Sequence, residues 1–478
     1  LGGLPKKIYQ INSLSSSDRS NRLLLDSGNL LFKKNSIDRG QNQEILTAET
    51  ILDIYTDIGY DAVAIGPLDL AAGIDFVQKS YTHGFPWISS NITSPDGKPL
   101  FTQWITRTFG DIKVVITAVT AHPQKEYKNI NIQPWQESLT KTLVTIKEKK
   151  ENAFIILLSS LNSSENEQIA KRFPDINLLI GADPHRGNIS PQLIGNTLLT
   201  QTAKQGKYQG LLEIIFGKQR IWGHDTTRQL ADLQNKLGSV NWQLRRLKKQ
   251  SKKNGNENKY TDTILRLEKE KEELNREIDT SKELLTQEKE AGVKNDQYNY
   301  RFIGLKKNLP NDQPTAEKLI LLNREIRELN KKNKQLENTS GNLSTLTQNM
   351  VGHSVCETCH ETQAEFWKTT RHASAYSTLI KKDKSLNLDC LPCHLTINPR
   401  KLDSQISPDP GYLSYPSALR SVGCESCHGP GREHTIAPET YTLSRNPEKT
   451  LCLTCHTPEH DDTFDYIPKL SRIACPSE

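Results

Sequence analysis

Cys356-Glu-Thr-Cys359-His360, Cys390-Leu-Pro-Cys393-His394, Cys424-Glu-Ser-Cys427-His428 and Cys452-Leu-Thr-Cys455-His456 are four copies of one pattern: two cysteines three apart, then a histidine. Two thiols at that spacing reach the two vinyl groups of one haem, and the adjoining histidine then offers imidazole to the iron from the same side. Redox dithiols and zinc knuckles also use paired cysteines, but neither requires a histidine after each pair. The pattern predicts four covalent c-type haems. Cys356, Cys359, Cys390, Cys393, Cys424, Cys427, Cys452 and Cys455 are the expected attachment thiols, and His360, His394, His428 and His456 the proximal iron ligands. All nine cysteines lie after residue 355 and eight belong to motifs, so this is not a disulfide framework. The ninth, Cys475, reads as a free or structural thiol near a frayed end.

Haem iron takes a sixth ligand, and the choices are few. A methionine opposite histidine would raise the potential, but Met350 is the single methionine of the chain. The histidines left over beside the motifs are His353, His372, His434 and His460. They are the distal candidates, and one for each iron predicts mostly bis-histidine, low-potential electron-transfer haems. His434 follows His428 by six residues across Gly429-Pro430-Gly431. That segment turns tightly and is too short to wrap over a haem, so His434 is expected to serve a neighbouring haem. His353 is similarly close to His360 and is expected to do the same.

The surroundings of these motifs carry a resemblance. Gly352-His-Ser-Val-Cys356, Phe366-Trp367, Arg371-His372-Ala373, and Val422-Gly-Cys424 through Gly431 to His434 resemble the tetrahaem cytochrome c-554-type family. Thr457-Pro458-Glu459 and Phe464-Asp465-Tyr466 fit it as well, so the likeness covers about residues 348–474. It implies closely placed haems in a mainly helical, loop-rich wrapper, most irons being bis-histidine ligated and one in some relatives five-coordinate.

The first 220 residues read differently. Short apolar runs recur at Leu23–Leu25, Ala62–Ile65, Val114–Ile116, Phe154–Leu158, Leu178–Ile180 and Leu211–Phe216, with amphipathic stretches such as Glu49–Ile58 and Asn166–Phe173 between them. Strands alternating with helices predict an α/β layered domain. Leu1-Gly-Gly-Leu4, Leu25-Asp-Ser-Gly28, Gly59-Tyr60-Asp61-Ala62, Ser90-Asn91-Ile92, Leu179-Ile-Gly181 and Gly206-Lys-Tyr-Gln-Gly210 resemble the 5′-nucleotidase and UDP-sugar hydrolase branch of calcineurin-like metallophosphatases. Such enzymes hold two metals that activate a bridging water. Against that family pattern the bridging Asp is here Asn29, and Gly-Asn-His-Glu reads Gly66-Pro67-Leu68-Asp69. The Leu-Ser-His histidine is Ser160, and Asp183 and His185 are what survives of the final Gly-Gly-His-x-His. The resemblance thus implies a scaffold without phosphatase activity. Asp69, Asp183 and His185 could hold one weak metal, but a hydrogen-bonded loop network is the expected role, and no second metal site is predicted.

Between these parts, Leu230, Leu233, Leu237, Val240, Leu244 and Leu247 follow the three-four spacing of a helical seam. After a polar break at Lys252–Asn258 come Ile264, Leu267, Leu274, Ile278 and Leu285, then, opened by Pro314-Thr315, Leu319, Leu322, Ile326, Leu329 and Leu336. The first two runs are expected to fold back on each other, with homo-oligomers left open. The fold class is therefore multidomain α/β plus α. Residues 1–224 form the metallophosphatase-like domain, 225–337 a coiled-coil-like helical region, 338–347 a linker and 348–478 the tetrahaem domain. Hydrophobic residues make up 35% and charged residues 25%, and the longest clean apolar stretch, Ala153–Leu158, is far below the roughly 20 residues that span a bilayer. The net charge of +6 is spread out, so nucleic acid is not an expected partner. A chain starting at Leu1 without a signal-peptide pattern reads as mature or trimmed. These features predict an exported electron-transfer protein, periplasmic or at the cell surface, whose partners are other cytochromes. The alternatives are a multihaem oxidoreductase acting on a small nitrogen or sulfur species at a five-coordinate haem, a phosphoesterase with electron transfer appended, or a structural subunit of a larger cytochrome assembly.

Overall fold

The computed structural model describes residues 3–14, 21–37, 42–149, 152–217, 219–222, parts of 233–247, 261–291, 295–306, 308–337, 347–396, 410–457, 460–461 and 464–476. The chain divides into two compact units, each discontinuous in sequence. One holds Ser17–Leu30 and Tyr60–Lys306; the other holds Leu1–Ser16, Leu31–Gly59 and Lys307–Glu478.

The first unit is α/β. Three short parallel strands, β1 (Leu25–Asp26), β2 (Ala62–Ala64) and β3 (Trp87–Ile88), form one sheet in that order. A small pair joins β4 (Ile92–Thr93) to β7 (Asn131–Ile132). The main sheet contains β5 (Trp104–Phe109), β6 (Ile112–Val119), β8 (Phe154–Ser159), β9 (Ile176–Gly181), β10 (Ile189–Ile194) and β11 (Thr197–Gln201), in the order β10-β11-β9-β8-β6-β5. Its central pairs are parallel and its two edge pairs antiparallel. Parallel strands are covered on both faces, and the side-chain period of two sorts these residues accordingly. Val115, Ile155, Leu157, Leu179 and Leu199 pack with Trp135, Leu139, Leu143 and Ile146 of the helix Trp135–Lys149 and Ile169 of the helix Ser163–Arg172. Val114, Ile116, Phe154, Ile156, Leu158, Leu178 and Leu198 form the opposite core with Ala62, Ala64, Ile88 and Trp222. Every apolar run expected as a strand contributes to one.

The middle of the chain departs from an all-helical reading. The helix Thr261–Ala291 is followed by a ten-residue strand, β14 (Asn295–Gly304). That strand lies between β12 (Tyr208–Ile215) and β13 (Gln219–Trp222), antiparallel to the first and parallel to the second. Its cause is legible: Tyr298, Tyr300 and Phe302 alternate along one face, the spacing of a strand and not of a helix. Trp222 meets Tyr298 edge-on at 5.5 Å. The first two helical runs do pack together, Val240 and Leu244 sharing a buried cluster with Leu267 and Leu274. Leu230 and the break at Lys252–Asn258 lie outside the described residues.

The second unit gathers helices from three parts of the sequence. Leu4 opens a helix, Leu4–Leu14, and this helix and Asn42–Ile58 pack against Gln313–Glu337. Asp312 starts the long helix by accepting from the Thr315 backbone N–H at 3.0 Å, a cap geometry. Facing residues Ile51, Ile54, Tyr55, Leu322 and Ile326 are buried. A buried amide network links this helix pair to the loop before Cys390. Asn330 Nδ2 donates to Gln43 Oε1 (3.0 Å) and to the Leu386 carbonyl (2.8 Å). Gln43 Nε2 donates to Asn387 Oδ1 at 3.2 Å, and its Oε1 also accepts from the Leu388 N–H at 3.1 Å. The remainder is short helices and turns, with Leu379, Leu388, Leu391, Leu395, Tyr412 and Tyr415 as a local core. No helix among the described residues is long and apolar enough to cross a membrane.

Candidate haem-binding site

Each motif lies on a short helical turn. His360 N–H and His456 N–H donate to the carbonyls of Cys356 and Cys452, both at 2.9 Å, and Cys424–His428 and Leu391–His394 are helices themselves. One turn puts both thiols of a motif near one side, as attachment to a single ring system requires. None of the nine cysteines is paired in a disulfide. The Cys356 side chain lies beside that of Cys424, and Cys393 beside Cys455, so the first motif adjoins the third and the second adjoins the fourth. Burial pushes the Cys427 thiol up to about 12.

The histidines are oriented through their Nδ1 atoms. His394 Nδ1 meets the Ala375 carbonyl at 2.7 Å, and His428 Nδ1 the Ser444 carbonyl at 2.6 Å. His434 Nδ1 meets the Tyr441 carbonyl at 2.7 Å, and His456 Nδ1 the Asp461 carboxylate at 2.9 Å. An acceptor on Nδ1 fixes the proton there and leaves Nε2 as the donor atom for a metal.

Two pairs of imidazoles lie close together, one nearly parallel and one tilted by 55°. His360 and His434 have ring centres 6.3 Å apart and planes inclined by 19°. His372 and His456 are 6.2 Å apart. Two imidazoles binding one metal from opposite sides, with metal–nitrogen bonds of about 2 Å, place their ring centres roughly 6 Å apart. These spacings fit a covalently held haem: His360 with His434, and His372 with His456, would each be able to hold one iron. Burial, and then the neighbouring His456, hold the His372 pKa below its ordinary value. His353 instead packs on Trp367 with ring centres 4.6 Å apart, its Nδ1 buried without a hydrogen-bond partner. His460 is exposed. Among the described residues no second histidine ring faces His394 or His428.

Two carboxylates organise the site, and both arise from positions without a motif signal of their own. Glu425, 1% exposed, accepts from the N–H groups of Val351 (2.9 Å), Gly352 (2.8 Å) and Gly431 (2.8 Å). It thereby ties the chain leading into the first motif to the chain leaving the third, three residues before His434. Gly352 has φ +89°, and a Cβ there would lie 3.0 Å from the Ala418 carbonyl oxygen, so glycine is required. Asp461 is the second; hydrogen bonds from Lys469 and then His456 hold its carboxyl below the usual range.

In the α/β unit, the remaining phosphatase-type residues bond to one another and to backbone. Asp69 is fully buried; its carboxylate accepts from the N–H groups of Asn29 (2.8 Å), Leu30 (2.7 Å) and Gly66 (2.8 Å). Asn29 Oδ1 accepts from the Leu68 N–H at 3.0 Å. Asp183 accepts from Ser163 N–H and hydroxyl, each at 2.9 Å, and from the His185 N–H at 2.9 Å. Burial opposes ionisation of Asp183, but these hydrogen bonds outweigh it and its pKa is lowered. Ser160 Oγ accepts from the Ala121 N–H. Among the described residues no group of three or more His, Cys, Asp or Glu side chains is placed to hold a metal ion.

Residues 355–429 match the family Cytochrome c554 and c-prime. The chain is similar to cytochrome c-554 of Nitrosomonas europaea, 33% identical over 135 residues, which is 24% of this chain and 54% of that protein. The chain thus spans about half the length of that curated relative. Similar solved structures include the sulfate thiohydrolase SoxB of Thermus thermophilus (TM-score 0.44, 16% identity, covering 67% of this chain and 46% of that one). They also include a 5′-nucleotidase precursor from Thermus thermophilus (0.43, 15%, covering 67% and 53%). The NAD nucleotidase of Haemophilus influenzae is a third (0.38, 16%, covering 45% and 41%).

Proposed function

We propose that this chain is an electron-transfer cytochrome with four covalent haems, one at each Cys-x-x-Cys-His motif, most of them held between two histidines. The observation that carries the reading is two close pairs of imidazoles, His360 with His434 and His372 with His456, at a spacing that admits one metal each. Bound haem supplies reversible one-electron iron chemistry. The chain's own part is to hold the thiols on helical turns, to fix Nδ1 of His394, His428, His434 and His456 and so present their Nε2 atoms, and to bury His372. Exchange with other cytochromes in the periplasm or at the cell surface follows from haem of this kind being attached outside the cytoplasm. The α/β unit, with Leu68 where the family has its acid histidine, serves docking or assembly without catalysis. The sequence segments 1–224, 225–337, 338–347 and 348–478 remain the proposed organisation by ancestry, cut differently by the two compact units.

A second reading has one observation in its favour. His394 and His428 face no second histidine ring among the described residues, as an oxidoreductase with a five-coordinate haem would require. Mass spectrometry and electron paramagnetic resonance of the oxidised protein decide between them. Four attached haems with predominantly low-spin iron are expected. Fewer than four would refute the count, and a clean high-spin signal that responds to a small nitrogen or sulfur ligand would favour the enzyme.

A further inference from the structure

The proximal histidines do not share one kind of Nδ1 partner. His394 and His428 donate to the neutral carbonyls of Ala375 and Ser444, whereas His456 donates to the Asp461 carboxylate. Hydrogen bonds to an ionised acceptor are roughly twice as strong as neutral ones. A carboxylate draws the Nδ1 proton toward itself and leaves more electron density on Nε2, and a more basic axial ligand favours the oxidised iron.

The surroundings preserve that effect. The Asp461 side chain is 18% exposed, and the Phe464 ring stacks on His456 with centres 4.7 Å apart. Partial burial keeps the hydrogen bond strong by excluding water. Lys469 also binds Asp461 Oδ2, and its ammonium lies 5.6 Å from the Phe464 ring centre. The cation draws on the same carboxylate oxygen as His456, so it limits the charge that reaches the ring. We propose that Asp461, acting through His456 Nδ1, sets the haem bound at Cys452 and Cys455 to a lower reduction potential than those of the second and third motifs, with Lys469 restraining the shift. Asp461 is a positioning residue here, and the assignment rests on the multihaem reading above.

The test is a spectroelectrochemical titration of the full haem-loaded chain, with the haem count of every sample measured by mass. In Asp461→Asn one of the four waves should move to higher potential and the others stay. The expected shift is about tenfold in the redox equilibrium, which is about 59 mV for one electron. Asp461→Glu should restore the wave, and one low-spin resonance signal should change with it. Lys469→Met should move that wave down, which keeps the idea testable if Asp461→Asn does not take up haem. Waves that stay put in both variants, or all four moving together, would overturn the assignment. A wild-type count below four would instead overturn the multihaem reading itself.

Discussion

At the scale of single residues, Glu425 shows how a buried charge can be structural without a cation beside it. Its two oxygens take three backbone N–H groups, so the ionised form is solvated by the chain instead of by water. Glutamine at this position would keep the shape but turn N–H donors toward N–H donors. Hydrogen bonds to a charged group contribute about 1.5–3 kcal/mol each, and an orphaned buried donor costs about 1–3 kcal/mol. Glu425→Gln should therefore destabilise the protein by about 2–4 kcal/mol in denaturant titration. Because the Gly431 tie precedes His434, the same variant should also release one haem to high spin and open it to carbon monoxide. An unchanged low-spin spectrum would show that Glu425 does not place His434. The motif histidines stand out as candidate ligands from spacing alone, since adjacent residues share one turn. Glu425 and Asp461 do not, because their partners lie elsewhere in the chain or are set by how a loop closes.

At the scale of elements, hydrophobic periodicity revealed what each segment is better than what it touches. The central strands β6, β8 and β9 are apolar on both faces and read as short continuous runs, and all three form. The edge strands β5 and β10 and the strand β11 are not singled out in this way. The helix Asn42–Ile58 was equally legible, but an apolar face does not name its cover, and its cover is Gln313–Glu337. Strand β14 was hidden by the Lys- and Glu-rich helical sequence around it, although its alternating aromatics mark it. The join between that helix pair and the second motif is the Gln43–Asn330–Asn387 amide network, only two residues before Asp389 and three before Cys390. A fully connected buried network rigidifies, and a broken one leaves amides without partners. Asn330→Leu should cost about 1–3 kcal/mol by that argument. It should also broaden or shift the redox wave of one haem while leaving the count at four. A stability loss with all waves unchanged would confine the network to the fold.

At the scale of the whole molecule, the α/β unit has its buried polar side chains already committed to backbone partners. A two-metal site needs carboxylate, amide and imidazole donors aimed at a common point, with the ions about 3.5–4 Å apart. Here Asp69 instead clasps the loops at residues 26–30 and 66–69 through backbone N–H groups, and Asp183 fastens Ser163 and His185. A metal would have to displace charge-assisted hydrogen bonds contributing about 1.5–3 kcal/mol apiece, with Asn29 neutral and Leu68 unable to protonate a leaving group. Protonation tells the same story. The Asp183 pKa is depressed in the folded state, so its contribution is present above the unfolded carboxyl pKa and fades as pH falls through the folded value. The expected result is no turnover of nucleotides or sugar nucleotides with added manganese, at any pH where the unit stays folded. Turnover that disappears on replacing Asp183 or His185 would mean that the loops open to accept metal. Asp183→Asn should instead act on stability alone, by about 1–3 kcal/mol at neutral pH and by progressively less under acid conditions, where the wild-type carboxylate is itself protonated.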